Sequence, residues 1–286
     1  MFVVQSHPNM NREAFQVVVA GETLQGHVYH VPDPVAAVVV VHGMGEYGRR
    51  YERSLVPCLL ESSMEVITYD QFGHGLNSGK KGHHPGYEHL LDSIDKMIDL
   101  AEELVSDKPV FLYGHSMGGN VALGYALSRP GKLSGLVVTS PFLRLAFEPP
   151  AWKLAIGRLL AGIWPSITMS NEVDPASLSR IEEEVAAYRN DPLVHDRVSP
   201  AYSIGIMKRG EWVMAHAKDL ETPLLLMHGT SDRLTDFEAS REFAQNAGDK
   251  VEFVAVEGGY HELHHDLERE KVLEKAVEWI KAHSRS

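Results

Sequence analysis

Cysteine is nearly absent: Cys58 is the only one in 286 residues. A lone cysteine excludes an intramolecular disulfide and a cysteine-ligated zinc cluster. Positive charge is also scarce. Lys and Arg number 27 against 39 Asp and Glu, a net charge of −12. Proteins that grip a phosphate backbone are usually basic, so nucleic acid is not an expected partner. Long apolar runs are missing as well. The seven residues Val35–Val41 form the longest run near the start, and a helix crossing a bilayer needs about 20. The opening MFVVQSHP has no basic segment and only a short apolar run. No signal peptide is expected there, and the default compartment is cytoplasmic. What remains is ordinary globular usage, 44% hydrophobic and 23% charged, which excludes disorder, collagen and coiled coil. A chain of this length buries enough surface to fold without a covalent staple.

Short apolar runs alternate with amphipathic stretches. Phe15–Val19 and Thr23–His30, joined through Gly21, predict an opening antiparallel hairpin. Val35–Val41 is β-branched and apolar on both faces, which predicts a buried strand. Further strands are expected at Glu65–Tyr69, Val110–Tyr113, Gly135–Thr139, Leu224–Met227 and Val251–Val256. Helices are expected at Tyr87–Leu104, Gly118–Ser128, Phe237–Ala247 and Arg269–His283. Strands alternating with helices imply an α/β fold with a mostly parallel sheet covered on both faces. The rhythm breaks between Phe142 and Tyr202, where no strand run is visible. The expected organisation is a core of residues 1–141 and 203–286 with a helical cap inserted at 142–202. Within the insertion, Trp152, Ala155, Ile156, Leu159, Leu160 and Ile163 share a helical face, near Arg144, Lys153 and Arg158. That face is read either as a cap helix packed on the main body or as a surface in peripheral contact with a membrane.

The chemistry-bearing word is Gly114-His115-Ser116-Met117-Gly118, the only Gly-x-Ser-x-Gly in the chain. Chance would supply about 0.1 such matches in this length. It sits between an expected strand and an expected helix, the context of a strained turn that projects a serine over a sheet. A serine nucleophile needs a base, and the base needs an orienting acid. Asp232 follows the strand Leu224–Met227 and is the leading acid; Asp236, at the cap of the next helix, is the alternative. His261 follows the last strand and is the leading base, with His264 and His265 as rivals. The other histidines, such as His83, His84, His89 and His283, are read mostly as solvated surface. An oxyanion hole needs preorganised N–H donors. The Met117 amide is one, and the Met44 amide in His42-Gly-Met-Gly-Glu46 is the candidate for the other. A decoy is His261-Glu262-Leu-His-His265, which satisfies His-Glu-x-x-His. Zinc chemistry needs both histidines on one helical face, and His261 follows a strand and two glycines instead.

With these words in view, the chain resembles the α/β-hydrolase family of monoacylglycerol lipases and lysophospholipases. The resemblance rests on His42-Gly-Met-Gly-Glu46 with Arg50-Tyr-Glu52, Asp70-Gln-Phe-Gly-His-Gly75, Gly114-His-Ser-Met-Gly-Gly119, Asn190-Asp-Pro-Leu193, Gly229-Thr-Ser-Asp232 and Glu257-Gly-Gly-Tyr-His261-Glu-Leu-His264. It implies an α/β-hydrolase fold, Ser116 as nucleophile, His261 as base, Asp232 as orienter, and Met44 and Met117 as oxyanion donors. It further implies that Arg50, His115 and Tyr188 lie around the head-group end of the substrate, and that the cap lines an acyl channel. Asn77 stands where many relatives have serine, and the cysteines near the site of the mammalian enzymes have no counterpart.

The expected reaction is hydrolysis of single-acyl lipid esters through an acyl-enzyme, with no metal or organic cofactor required. The alternatives with the same machinery are a lysophospholipase or a general carboxylesterase. A serine peptidase of similar fold would need an anchor for a free amino terminus, for which Glu172, Asp174 and Glu182–Glu184 are candidates.

Overall fold

A computed structural model describes residues 10–284. The signal-peptide expectation concerns residues 1–8, which lie outside the described residues. Among the described residues, ten strands and eight α-helices follow one another in chain order. The first elements are β1 (Arg12–Val19), β2 (Glu22–Tyr29), β3 (Ala36–Val41), α1 (Leu55–Glu61), β4 (Met64–Tyr69), α2 (Tyr87–Leu104), β5 (Val110–His115), α3 (Met117–Ser128) and β6 (Gly135–Thr139). Next come α4 (Ala151–Ile163), β7 (Met169–Ser170), α5 (Glu182–Asn190), β8 (Arg197–Val198) and α6 (Pro200–Ala215). The chain closes with β9 (Leu224–Gly229), α7 (Phe237–Ala247), β10 (Val251–Val256) and α8 (Arg269–His283).

Eight strands form one sheet in the order β1-β2-β4-β3-β5-β6-β9-β10. The β1–β2 and β2–β4 pairs are antiparallel and every later pair is parallel. This is the α/β-hydrolase fold. The centre of the sheet is apolar on both faces because helices cover both. Val38 and Val40 pack with Leu55, Val56 and Leu59 of α1 and with Leu273, Ala276 and Ile280 of α8. Val39 and Val41 pack on the other side with Leu91, Ile94 and Ile98 of α2 and Val121 of α3. Each such side chain contributes about 1.5–3 kcal/mol when fully buried. The strand order reverses between β3 and β5, since the chain passes from β3 to β4 on one side and returns to β5 on the other. Loops leaving the carboxyl ends of β3 and β5 therefore diverge and open a crevice.

Three features depart from the sequence expectations. The stretch 142–202 does contain strand pairing, a two-residue antiparallel ladder of β7 with β8, too short to leave a hydrophobic pattern. Helix α4 buries no residue. Its Leu154, Gly157 and Ala161 turn inward towards α6, whereas Trp152, Ile156, Leu159 and Ile163 are exposed. Of the expected stripe, Trp152, Ala155, Ile156, Leu159 and Ile163 thus lie on the outer side and only Leu160 is half-buried. The histidines are also not mostly on the surface: eight of the fifteen among the described residues are buried, His84 among them. Among the described residues no helix is long and apolar enough to cross a membrane.

Candidate active site

Ser116 stands between the end of β5 and the start of α3 with φ +53 and ψ −116. A non-glycine residue at positive φ is strained, and the flanking glycines explain how the turn is tolerated. A Cβ at Gly118 would collide with the carbonyl oxygen of Val41, and one at Gly114 would press on the backbone of Gly118 and Gly119. Strand and helix approach each other this closely only without side chains. The Ser116 amide donates to the Thr139 carbonyl at 3.0 Å, and the Ser116 carbonyl accepts from Phe142 N–H at 2.9 Å. The hydroxyl is thereby fixed at the carboxyl edge of the central strand.

The loop after β3 meets this turn. A Cβ on Gly43 would lie 3.3 Å from Ser116 Cβ and 3.2 Å from His115 Cδ2, so the His42–Glu46 backbone passes beside the serine. Met44 is half-buried against the core, and Met117 is fully buried as the first residue of α3. His42 holds the loop from below: its Nδ1–H donates to Gly43 O at 2.8 Å, and its Nε2 accepts the Gln71 N–H at 2.8 Å. Asn77 secures the adjoining loop, accepting from Gln25 N–H at 2.8 Å and donating to Asp70 O at 2.7 Å. The amide thus serves where relatives carry serine.

Asp232 and His261 come to the same edge from the loops after β9 and β10. Ser116 Oγ lies 2.8 Å from His261 Nε2, and His261 Nδ1 lies 2.7 Å from Asp232 Oδ2. Asp232 is deeply buried, and its oxygens also accept from Leu234 N–H, Thr235 N–H, the Thr235 hydroxyl and His228 Nε2. Burial opposes its ionisation, but the adjacent His261 and the His228 hydrogen bond outweigh that and hold its pKa well below the usual carboxylate value. Burial likewise opposes charging His261, yet the Asp232 carboxylate raises the ring above the ordinary histidine value of 6.5. Asp236 is elsewhere, capping α7 through Glu238 N–H and paired with Arg144. His264 and His265 sit on the short 3-10 turn Leu263–His265, with neither ring bonded to Ser116.

The three residues implied for the head-group end lie beside this array. His115 is buried, its Nδ1 3.0 Å from Thr139 Oγ1, and its ring is 4.9 Å from that of His261. Burial, then the neighbouring His261, pushes its pKa well down. Arg50 is buried between Glu46 and Glu262, and its guanidinium stacks 4.8 Å from the Tyr188 ring. Sequence reasoning missed Glu262, Thr235 and His228 as neighbours of the site. Only the adjacency of Glu262 to His261 could have flagged one of them, because its partner Arg50 is 212 positions away.

The zinc pattern does not assemble. Both nitrogens of His261 face Asp232 and Ser116. Glu262, His264 and His265 do bring ligand atoms within 4.8 Å of one another, but both Glu262 oxygens are engaged by the Arg50 cation. The acidic candidates for an amino-terminus anchor are only partly committed, since Glu182 and Glu183 are exposed in the first turn of α5. Glu172 pairs with Lys153, Glu184 with Arg53 and Arg269, and Asp174 caps a 3-10 turn.

Residues 32–268 match the Hydrolase_4 family model, described as serine aminopeptidase, S33. The chain belongs to this family. A 37% identical relative, an uncharacterized abhydrolase domain-containing protein of Dictyostelium discoideum, aligns over 87% of this chain, which spans only 26% of that protein. The monoacylglycerol lipase of Mycolicibacterium smegmatis is 30% identical over 88% of this chain and 90% of its own length. Among solved structures, the monoacylglycerol lipase of Paleococcus ferrophilus superposes with a TM-score of 0.84 at 35% identity, covering 91% of this chain and 99% of that one. The protein is a carboxylic ester hydrolase of the monoglyceride lipase-like family.

Proposed function

We propose that the protein is a monoacylglycerol lipase, releasing a fatty acid and glycerol from a single-acyl lipid ester. The observation that carries the reading is the unbroken chain of short hydrogen bonds from Ser116 through His261 to Asp232, at the sheet edge where the His42–Glu46 loop arrives. Ser116 Oγ attacks the ester carbonyl as His261 Nε2 takes its proton. Asp232 fixes the ring tautomer with Nδ1–H towards itself and stabilises the imidazolium. The amides of Met44 and Met117 receive the oxyanion; removing one such donor typically costs about 2.7–4 kcal/mol of transition-state stabilisation. His261 then protonates the leaving glycerol, and water repeats the sequence to free the acid. His115 and Tyr188 border the polar, alcohol end of the substrate.

Residues 142–202 form the cap over this site, and its outer apolar stripe docks on a lipid surface, from which the substrate is drawn. Relatives named monoacylglycerol lipase support this substrate class over a peptide. The test is a panel of monoacylglycerol, diacylglycerol, lysophosphatidylcholine and short p-nitrophenyl esters, with fluorophosphonate labelling. Monoacylglycerol is expected as the best substrate, and Ser116→Ala is expected to abolish both turnover and labelling. Preference for lysophosphatidylcholine, or for acetyl and butyryl esters, would replace the substrate assignment, and an active Ser116→Ala protein would overturn the mechanism.

A further inference from the structure

Glu262 directly follows His261, and its side chain is buried beneath the site. Arg50 Nη1 donates to its Oε1 at 2.8 Å and Nη2 to its Oε2 at 3.0 Å, while His265 Nδ1 lies 3.0 Å from Oε2. Arg50 Nη1 also reaches Glu46 Oε2 at 2.6 Å. Glu46 Oε1 in turn accepts the Gly43 N–H at 2.6 Å and the Tyr51 hydroxyl at 2.9 Å. A continuous path of charge-assisted bonds therefore runs from the backbone of the loop after β3 to the residue beside His261. The three side chains keep only 2–5% of their solvent exposure. Desolvating three charges offsets much of their mutual attraction, and apolar replacements of such triads are often neutral or better. Stability alone is a poor reason for the arrangement; what it connects is a better one.

We propose that Arg50 and Glu262 are positioning residues: through Glu46 they lock the loop carrying the Met44 amide to the loop carrying His261, and so hold oxyanion donor and base in register across Ser116 Oγ. The proposal rests on the acyl-transfer reading above. It assigns Arg50 a role exerted through the two loops, not through contact with the head group. The geometry also has an electrostatic side. The Glu46–Arg50–Glu262 triad carries one net negative charge close to His261. The other groups facing that ring are Asp232 from the loop after β9 and His115 from β5. Burial opposes protonation of His261; Asp232, then Glu262 and Glu46, favour it.

The test uses the full chain with 1-monooctanoylglycerol and p-nitrophenyl octanoate, with kcat, KM, pH profiles and thermal melting for wild type, Arg50→Lys and Glu262→Gln. Lysine keeps the charge, but a single ammonium cannot make the forked contacts to two carboxylates. Glutamine keeps the size and an acceptor for Arg50 but removes the negative charge. Arg50→Lys is expected to lose about 10- to 100-fold in kcat, the scale of a small misplacement of reacting groups, with KM nearly unchanged. Glu262→Gln is expected to move the acid limb of kcat/KM to lower pH. A rise in KM alone, for 1-monooctanoylglycerol and not for p-nitrophenyl octanoate, would make Arg50 a head-group contact and overturn the proposal, as would folded variants with wild-type kcat and an unmoved acid limb. If one variant does not fold, the other decides. A wild-type protein inert towards esters would instead remove the underlying reading, so the two failures are distinct.

Discussion

His261 sits between two opposed demands. In the proposed role of base it must be neutral to take the Ser116 proton, yet Asp232, 2.7 Å from Nδ1, favours the charged ring despite its burial. The folded pKa is therefore raised above 6.5, and the sign for activity follows. Above the raised value the base is neutral and kcat/KM is full; below it kcat/KM falls tenfold per pH unit. The acid limb of the wild-type profile is expected above pH 6.5, and a limb at or below 6.5 would mean that Asp232 does not act on the ring as described. Asp232→Asn removes the charge and admits the wrong tautomer. Steady-state kinetics should then show a loss of about 10⁴-fold in kcat, with the acid limb moved down.

At the level of elements, helix α4 carries the clearest expectation. Trp152, Ile156, Leu159 and Ile163 are spaced along one side and point away from α6, with Phe147 and Trp164 exposed nearby. Arg144 and Lys153, the basic neighbours that suggested attraction to anionic lipid, are paired with Asp236 and Glu172. Adsorption should then depend mainly on apolar insertion. Replacing Leu159 and Ile163 by serine should cut vesicle co-sedimentation about tenfold or more, given about 1.5–3 kcal/mol for each fully inserted side chain. Hydrolysis of a water-soluble p-nitrophenyl ester should stay unchanged. Equal loss on both substrates would show that these residues support the fold or the site rather than a lipid contact. The same helix shows where sequence pattern stops. Its extent was legible from Ala151 to Ile163, but its apolar residues are numerous enough to serve two sides, and only the position of α6 decides which face is inner. The parallel strands were legible because burial on both faces leaves runs such as Val38–Val41. Helix α1 was not, since it is seven residues long with Pro57 inside, and α6 was not, because it is apolar on several sides. The hydrogen-bonded array of Ser116, His261 and Asp232 could be read because each member follows a strand and the fold fixes their order. Arg50 with Glu262 could not, because no local pattern encodes a contact between distant loops.

For the whole molecule, the buried histidines set the response to acid. His42 is surrounded on every side: Nδ1–H is given to Gly43 O, Nε2 receives the Gln71 N–H, and a second ring proton would oppose that donor. Burial pushes its pKa down to about 4, and His84, packed edge-on against Tyr202, is pushed by burial to about 4 as well. His74, His115 and His264 move in the same direction. Each depressed group contributes stability that is full above its unfolded value of 6.5 and is lost as pH falls from there towards 4. The loss is about 1.4 kcal/mol per pH unit for each such histidine. His261 runs the other way, since its raised pKa favours the folded state at low pH, and Asp232 matters only below the ordinary carboxylate range. The net expectation is that unfolding free energy from urea titrations is flat above pH 7 and declines steeply between 6.5 and 4. Both ring nitrogens of His84 lack a hydrogen-bond partner among the described residues, so His84→Phe removes one titration and leaves no polar atom orphaned. That variant should match or exceed wild type at pH 7.5 and decline less steeply below pH 6.5, by about 1.4 kcal/mol per unit. Parallel curves for the two proteins would show that His84 takes up its proton in the folded state as readily as in the unfolded one, and the acid response would have to come from elsewhere in the core.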